Sequence, residues 1–308
     1  MNRLARKLVL SVLSVVLTVV ALGTTTFAWF TLTNTSVVQP FNAQIVADTG
    51  IQVAVGMPGV EPEFLQWKTT ITATDISNYI SAAYPAGFEF THVTSTNGVS
   101  FTSLEGVGVT SGYLQIPLHF RSNNVQAINW TQVSITSPDA QWTTGRTFVD
   151  SLGTTRVAGS TFTVNAADAV RVSVTGNQQI GLVDDLPVYG NVTVAYENPT
   201  TEPARNTVLY DASTTDFYNG GVGANGSTNY YYAVNAMLPQ GYDSVSTVAT
   251  QTSVVSTKVL DMIENPAVMP DATYYGVITL RIWIEGWDAE AYNSILSRVI
   301  TSSFRFAA

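Results

Sequence analysis

The sequence predicts an all-β protein, a jelly-roll-like antiparallel β-sandwich with an apolar N-terminal leader helix and a short C-terminal helix. Of the 308 residues, 45% are hydrophobic and only 11% are charged, whereas about 25% are charged in ordinary domains. Threonine, valine and aromatic residues are abundant, and these types favour pleated, half-buried strands. Lysine, a good helix former, occurs only as Lys7, Lys68 and Lys258, which argues against a helical bundle.

The first 28 residues have the layout of a secretory signal. Three basic residues among the first seven precede an uncharged, mostly apolar run from Leu8 to Leu22. Thr26 and Ala28 stand at the −3 and −1 positions of a cleavage site, so the mature chain is predicted to begin at Trp29. The alternative is an uncleaved anchor, because residues 8–30 are long enough to cross the membrane. In both cases the body is translocated, and we expect a secreted or cell-surface protein.

The body that follows is acidic and has no cysteine. Beyond residue 28 the chain carries 10 basic and 22 acidic side chains. Nucleic acid is therefore not expected as a partner, because phosphate neutralisation needs basic clusters. The absence of cysteine excludes a disulfide framework, a thiolate metal site and a cysteine nucleophile.

Short runs of β-branched and aromatic residues, separated by Gly, Asn, Pro and Asp, predict ten or more strands. In chain order the clearest runs are Ile51–Val55, Phe88–Val93, Tyr113–Arg121, Ala127–Thr136, Ser160–Val164, Ala169–Thr175, Asn191–Tyr196, Tyr230–Leu238, Tyr274–Glu285 and Arg298–Phe306. Apolar residues alternate from Ile278 to Ile284, which places Trp283 and Glu285 on the opposite face of that strand. No linker divides residues 44–308, so we expect one domain, preceded by an extended segment at residues 29–43.

Helical periodicity is found at two places in the body. Thr74–Ala83 is the first predicted helix, and Asp288–Leu296 is the second, with Asp288 as its N-cap. Between the last long strand and this second helix, Gly286 permits a sharp turn. We expect Trp287 to pack under the helix and close one end of the sandwich, in which case Trp287→Ala should cost roughly 3–5 kcal/mol.

Recognisable catalytic motifs are missing from the sequence. His92 and His119 are the only histidines; each lies in a strand-like run without metal-ligand spacing and is interpreted as structural. The pair Asp184-Asp185 is interpreted as a solvated loop, with cation binding through oxygen ligands as the alternative. The glycine-rich segment 220–226, inside a long loop, lacks the lysine of a phosphate loop. We therefore expect no enzyme activity, no cofactor and no metal.

Both ends of the chain have sequence features that are similar to those of a known protein family. The N-terminal ones are the basic start, the apolar run, Leu22-Gly23-Thr24-Thr25-Thr26-Phe27-Ala28-Trp29-Phe30 and the strand-like Phe41–Val46. Together they resemble the TasA/camelysin family of exported Gram-positive surface proteins. The ending, a strand at Ile282–Asp288 leading into Ala289–Leu296, is similar to that of such proteins.

The resemblance implies a function that composition alone does not. It covers about 50 residues at the start and 30 at the end of the chain, and it implies a leader cut by a SipW-class signal peptidase after passage through the export machinery. It also implies a jelly-roll subunit of extracellular fibres or biofilm matrix that needs no cofactor. A protease activity described for camelysin-type members is not carried over, because the chain has no zinc motif. The rarity of lysine and the long loops depart from the family and leave a surface-layer or virion coat protein open.

Residues 29–38, which follow the predicted cleavage site, are a candidate assembly segment. Trp29–Val38 is uncharged and extended; Phe30 and Leu32 share one face of it, and Val37 and Val38 end it. Sheet edges are normally protected by lysine, proline or bulges, and the body has only two lysines. The segment can add as a strand to a neighbouring subunit or pair within its own sheet, and the sequence leaves both open.

These observations predict an exported, non-enzymatic structural protomer that forms a homo-oligomeric fibre, matrix or surface layer by strand exchange. A virion coat protein is one alternative. A cell-surface adhesin or glycan-binding module is another, with Tyr230–Tyr232 as an exposed aromatic platform. The third is a hydrolase whose site is assembled from scattered carboxylates such as Asp184, Asp185 and Glu285.

Overall fold

The computed structural model describes residues 35–37, 42–48, 50–150, 152–199, 226–236, 247–264, 267–288, 290–292, 295 and 298–308. Within the chain, Ser36–Ala308 forms a compact unit of its own. The predicted leader helix and cleavage site, including Ala28 and Trp29, lie outside the described residues. So do three members of the candidate assembly segment, Phe30, Leu32 and Val38.

Strands dominate the described part of the chain. In order they are β1 (Thr35–Val37), β2 (Asn42–Ala47), β3 (Gln52–Val55), β4 (Thr70–Ile71), β5 (Glu89–Val93), β6 (Phe101–Thr102), β7 (Gly108–Val109), β8 (Leu114–Ser122), β9 (Ala127–Thr136), β10 (Ala140–Thr143), β11 (Phe148–Val149), β12 (Thr155–Arg156), β13 (Thr161–Val164), β14 (Val170–Val183), β15 (Leu186–Glu197), β16 (Thr257–Asp261), β17 (Ile263–Glu264), β18 (Tyr274–Glu285) and β19 (Thr301–Ala307). The two α-helices are α1 (Ala73–Ala83) and α2 (Gly226–Asn235), and single 3-10 turns lie at Pro62–Phe64 and Ala166–Ala169.

The larger sheet is built around β18. Antiparallel pairing joins β18 to β14 on one side and to β8 on the other, and β15 and β3 follow as the next strands outward. Beyond the end of β8, β5 runs parallel to the last two residues of β18 and has β1 as its other neighbour. Ile278, Leu280, Ile282 and Ile284 all lie in the main core, whereas Trp283 lies in a separate cluster. The predicted alternation along β18 is confirmed.

The smaller sheet has the strand order β16-β9-β19-β2-β4. The pairing of β19 with β2 is parallel, as is that of β18 with β5, so the predominantly antiparallel sheets contain parallel pairing at these two places. Strand direction is dictated only where a tight hairpin joins the strands. Here β2 and β19 are separated by most of the chain, which leaves their relative direction unrestricted.

The two sheets share one hydrophobic core. Ile45, Trp130 and Phe304 of the smaller sheet belong to the same buried cluster as Val172 and Leu280 of the larger one. Burying one such side chain contributes roughly 1.5–3 kcal/mol, so this shared layer is what holds the sheets together. The all-β, sandwich-like character predicted from the sequence is confirmed.

The first predicted helix is confirmed as α1. Thr72 caps it: its Oγ1 accepts the Asp75 N–H at 3.4 Å, and the Asp75 carboxylate accepts the Thr72 N–H at 2.9 Å. This reciprocal capping box satisfies two backbone donors that the first helical turn leaves free. Ile76 and Tyr79 on one face of α1 are buried in the main core.

The predicted strand Tyr230–Leu238 is wrong, because residues up to Asn235 belong to helix α2. Consecutive tyrosines favour strands, but packing overrides that preference. The Tyr230 ring lies 4.9 Å from that of Trp142, and the Asn229 amide donates to the Val149 carbonyl at 2.8 Å. The helix is fixed by these tertiary contacts.

The predicted α-helix at Asp288–Leu296 does not form in the described part of that range. Residues 289, 293, 294 and 296 are not described, and the others make separate turns, with Ala291 N–H bonded to Asp288 O and Ile295 N–H to Tyr292 O. Asp288 does accept the Glu290 N–H, as a capping residue does, but its other carboxylate oxygen binds Arg171 at 2.6 Å. Trp287 is buried, with only 6% of it exposed, although the described residues that follow it form turns and not the expected helix.

Candidate functional site

Of the candidate assembly segment, the structure describes only one short strand. Thr35–Val37 forms β1, which neighbours β5 at the edge of the larger sheet of the same chain. Only residues 38–41 separate β1 from β2, which belongs to the smaller sheet. The chain therefore places the last part of the segment, including Val37, at a sheet edge.

A second edge feature is a long hairpin that runs out from the larger sheet. β14 pairs with β18 only as far as Gly176, but it continues to Val183 in a hairpin with β15. The other sheet touches this extension at its base, where the Gln179 N–H donates to Asp261 at 2.7 Å and the Gln178 amide to the Lys258 carbonyl at 3.2 Å. We call residues 180–189, beyond these contacts, the hairpin arm.

The hairpin arm is apolar and exposed. Ile180, Leu182 and Val183 are each 61% exposed, Leu186 is 68% exposed, and Tyr189 is also exposed. The arm contains no basic residue. These side chains lie on both faces of the hairpin, because the adjacent pairs Val183–Leu186 and Leu182–Pro187 point to opposite sides.

The arm ends in Asp184-Asp185, the acidic pair that was interpreted from the sequence as a solvated loop. Asp184 and Asp185 have φ angles of 50° and 63°, which is the pattern of the two-residue turn whose twist matches a hairpin. Aspartate tolerates this left-handed conformation better than most residues. This geometry supports the prediction of a solvated turn at Asp184-Asp185. The described residues contain no group of His, Asp and Glu able to hold a metal ion.

The carboxylates considered for a hydrolase are not brought together. Asp184 follows the last residue of a strand of 14 residues that begins at Val170, and Val170 lies opposite Ile284, next to Glu285. At roughly 3.4 Å per residue this places the acidic pair about 45 Å from Glu285. The structure therefore gives no joint site to these groups.

Glu285 belongs instead to a buried charge cluster that the sequence analysis missed. Arg171 is 1% exposed; its Nε lies 2.6 Å from Glu197 and its Nη2 lies 2.6 Å from Asp288. Burial lowers the pKa of Arg171, but the attraction of Asp288, Glu197 and Glu285 outweighs it and raises that pKa above its usual value. Burial raises the pKa of Glu285, although Arg171 acts in the opposite direction. These groups tie β14, β15 and β18 together.

Trp283 sits beside this cluster. Its Nε1–H donates to Glu285 Oε2 at 3.1 Å, and the other oxygen of Glu285 accepts the Trp287 N–H at 3.3 Å. The Trp283 ring is fully buried and meets Phe101 edge-on, with centroids 5.2 Å apart. The face opposite the main core is thus covered at this end by a small core of its own, under the β6–β7 hairpin.

Gly286 is required for close packing rather than for an unusual backbone angle. Its φ is not in the left-handed region, but a Cβ there would lie 2.6 Å from Leu104 and 3.0 Å from the Cβ of His92. We expect Gly286→Ala to lower the free energy of unfolding by about 1–3 kcal/mol through overpacking, measured by denaturant titration. Gly145→Ala is the matched control, because a Cβ at Gly145 meets nothing within 4 Å; equal losses in the two variants would contradict the packing argument.

The two histidines have structural surroundings. The His119 Nδ1 lies 2.7 Å from the Tyr275 hydroxyl, and His92 lies in β5 with its Nε2 shielded from solvent and unbonded within the described residues. Burial lowers the pKa of each imidazole to about 4, so both are neutral at pH 7.

The three tyrosines of the proposed aromatic platform are all partly buried. Tyr230 belongs to a cluster of rings with Trp142, Phe148, Phe162 and Tyr292. The neighbouring cleft, lined by Asp150, Arg156 and Tyr292 among others, measures about 60 Å³, whereas ligand pockets usually measure ≈ 300–1,000 Å³. This cluster is interpreted as a packing feature of α2.

The fold and these surfaces define the structural class of the protein. It is an all-β protein with sandwich-like packing, in which two edge features, β1 and the hairpin arm, stand out. Neither helix among the described residues is long and apolar enough to cross a membrane. Comparison with protein-family models, with curated proteins and with solved structures finds no match to this chain.

Proposed function

We propose that the protein is an exported, non-enzymatic structural protomer that self-assembles into an extracellular fibre, matrix or surface layer. In this proposal the body is a jelly roll, and subunits are joined when the N-terminal segment of one pairs with the β5 edge of the next. The observation that carries the proposal is the position of β1, which lies within the uncharged segment and at a sheet edge next to β5. A strand at an edge can be supplied by another copy of the chain without rebuilding the sheet.

Three further features support assembly. Lysine, the usual edge protector, is rare, and the chain has apolar residues enough for a core without the segment at residues 29–38. The signal-like N-terminus is what an extracellular destination requires.

The central test is removal of residues 29–38. If the β5 edge is filled by a neighbour, the truncated protein should be a folded, soluble monomer that no longer polymerises, as seen by sedimentation and electron microscopy. The free peptide of residues 29–38 should block growth of the intact protein, because it occupies the same edge. A large loss of melting temperature with assembly retained would show instead that β1 serves only its own chain.

A paired substitution distinguishes side-chain insertion from a general effect of the segment. Phe30→Asp with Leu32→Asp places charges on the apolar face and should abolish polymerisation, because burying them unpaired is costly. Thr31→Asp with Thr33→Asp adds the same charge on the other face and should be far milder. Equal effects of the two pairs would contradict docking through Phe30 and Leu32.

A further inference from the structure

We propose that Arg281 anchors a carboxylate-binding site on the outer face of the larger sheet, which is the face turned away from the main core. A carboxylate from outside the chain binds the free N–H groups at the end of the Arg281 guanidinium. The site goes beyond strand exchange at β5 and does not depend on it.

Arg281 is a buried cation without an acidic partner. It is 8% exposed, and it lies in β18 between Ser173 of β14 and Gln115 of β8. None of the ion pairs among the described residues includes it. Glu285, the next acidic residue on this face of β18, is four residues further on, or roughly 13 Å, and already accepts two N–H groups of its own. Because a buried charge without a counter-charge is costly, the chain alone leaves this cation incompletely stabilised.

The same face of the sheet shows how this chain stabilises another buried arginine. Arg171 binds Glu197 and Asp288, and the attraction of these acidic groups raises its pKa. Burial instead lowers the pKa of Arg281, and the opposing influence among the described groups comes from Tyr113, which is not a carboxylate. Arg281 therefore lacks the anion that Arg171 has.

The guanidinium of Arg281 keeps N–H groups for a ligand. An arginine has five N–H donors; here Nε–H donates to Gln115 Oε1 at 2.9 Å and one Nη1–H to Thr175 Oγ1 at 3.0 Å. No further acceptor for it lies among the residues that the structure describes, and its Nη2 is not among the atoms shut off from solvent. Each Nη atom therefore keeps at least one N–H, and two such groups side by side match the two oxygens of a carboxylate.

Hydroxyl groups lie beside this cation. The register places Thr175 between Thr193 and Thr279 on neighbouring strands, and residues directly opposite each other share a face of the sheet. All three are half-buried. The Thr175 hydroxyl accepts from Arg281 and also lies 2.9 Å from that of Thr193, so the cation and this row of threonines are hydrogen-bonded together. A hydroxyl can donate to a ligand oxygen, and such a row therefore suits an oxyanion beside the guanidinium.

The charge of the site favours a carboxylate over a phosphate. One guanidinium carries a single positive charge, and a carboxylate carries a single negative charge on two oxygens that fit its planar fork. A phosphate ester carries about −1.5 to −2 at pH 7, so one cation would leave part of that charge unpaired. A small organic acid and an acidic side chain of a second copy offer the same carboxylate group.

The first test compares thermal melts in sodium acetate and in sodium chloride of equal ionic strength. With a Kd of about 1 mM, acetate at about 100 times that concentration should raise the melting temperature of the wild type by about 5 °C relative to chloride. Arg281→Gln removes the cation and should abolish this difference. A wild type that does not respond to acetate, or an equal response of the variant, overturns the proposal.

Arg121→Gln is the matched control. Arg121 also lies in β8 on the outer face of the larger sheet, donates to Gln52 at 2.7 Å and has no ion pair among the described residues. Its guanidinium stacks on the Trp67 ring, 4.6 Å from the centroid, and it is less buried than Arg281. Arg121→Gln should keep the full acetate response; loss of the response in this variant as well would mean a general effect of surface charge and would overturn the site.

The melts in chloride show whether Arg281 is a ligand anchor or a structural residue. Without a bound carboxylate, Arg281→Gln removes an unpaired buried charge, so it should melt at the wild-type temperature or above it. A loss of several degrees in chloride would show that the folded chain alone stabilises this cation, which would overturn the proposal.

Titrations followed through the arginine side-chain N–H resonances identify the ligand and its source. Acetate should shift the resonance that is missing in Arg281→Gln; a shift with inorganic phosphate and none with acetate would overturn the carboxylate assignment. Sedimentation velocity separates the two sources of the carboxylate. Dimers that acetate dissociates and that Arg281→Gln does not form would support the site with a second copy as the source, whereas monomers that bind acetate would support it with a small acid.

Discussion

Arg171→Met is expected to lower the free energy of unfolding by about 3–5 kcal/mol at pH 7, because it leaves buried carboxylates without their cation. The guanidinium is 1% exposed and binds both Glu197 and Asp288. Methionine fills much of the same volume, so the loss reports the charge rather than a cavity. Chemical denaturation of wild type and variant measures it.

The same variant should respond to pH in a defined direction. Burial raises the pKa of Glu285 and Arg171 opposes that rise, so without Arg171 the folded variant should bind more protons at pH 5 than the unfolded chain. Its free energy of unfolding should therefore rise as the pH falls from 7 to 5. Adding Glu197→Gln and Asp288→Asn should recover most of the loss at pH 7.

Arg305→Met is the surface control for this prediction. Its partner Asp48 lies at 2.6 Å, but both side chains are largely exposed, and such pairs contribute less than about 1 kcal/mol. If Arg171→Met loses as much stability at pH 5 as at pH 7, packing rather than uncompensated charge explains the effect.

Two long strands could be predicted to the residue. Ala127–Thr136 and Tyr274–Glu285 have the same bounds in sequence and structure, because each is a long run rich in β-branched and aromatic residues that is bounded by turn-forming residues. Helix α1 could be predicted for a similar reason, since its capping signal is local. Structural features that depend on residues close together in the chain could therefore be predicted from the sequence.

The hairpin arm was missed because a glycine in a strand-like run can indicate either a turn or the close approach of a neighbouring strand. The strand was expected to end at Thr175, since Gly176-Asn177 is typical of a turn. In the structure β14 passes straight through Gly176, where a Cβ would lie 2.1 Å from the Val259 carbonyl. The glycine allows β16 to approach closely, and that contact is invisible in the local sequence.

The buried charge cluster was missed for a related reason. In the run from Val170 to Val174, Arg171 alternates with valines, so it reads as a residue on a solvated face. The chain covers that face with Glu197 and with the turn at Asp288, 117 residues further on. Only the tertiary structure shows that the second face of this sheet is buried as well.

Trp283→Ala is expected to cost about 3–5 kcal/mol, as for a large aromatic side chain deleted from a core. Trp283 is fully buried, and it is the residue that links Phe101 to β18. Deletion leaves a cavity under the β6–β7 hairpin and removes the N–H that Glu285 accepts. Trp287→Ala, at a side chain only 6% exposed, is expected to cost a similar amount, and denaturant titration measures both.

Two further variants show which part of Trp283 matters. Trp283→Phe keeps a ring against Phe101 but removes the donor to Glu285, so it should cost about 1–3 kcal/mol, the range for a buried group left unsatisfied. Phe64→Ala, at a ring that is 69% exposed, should change stability by less than about 0.5 kcal/mol. If Trp283→Ala also falls below about 1 kcal/mol, the small core of Val93, Phe101 and Trp283 must unfold separately from the main core, and loss of fluorescence from Trp283 should then precede the global transition.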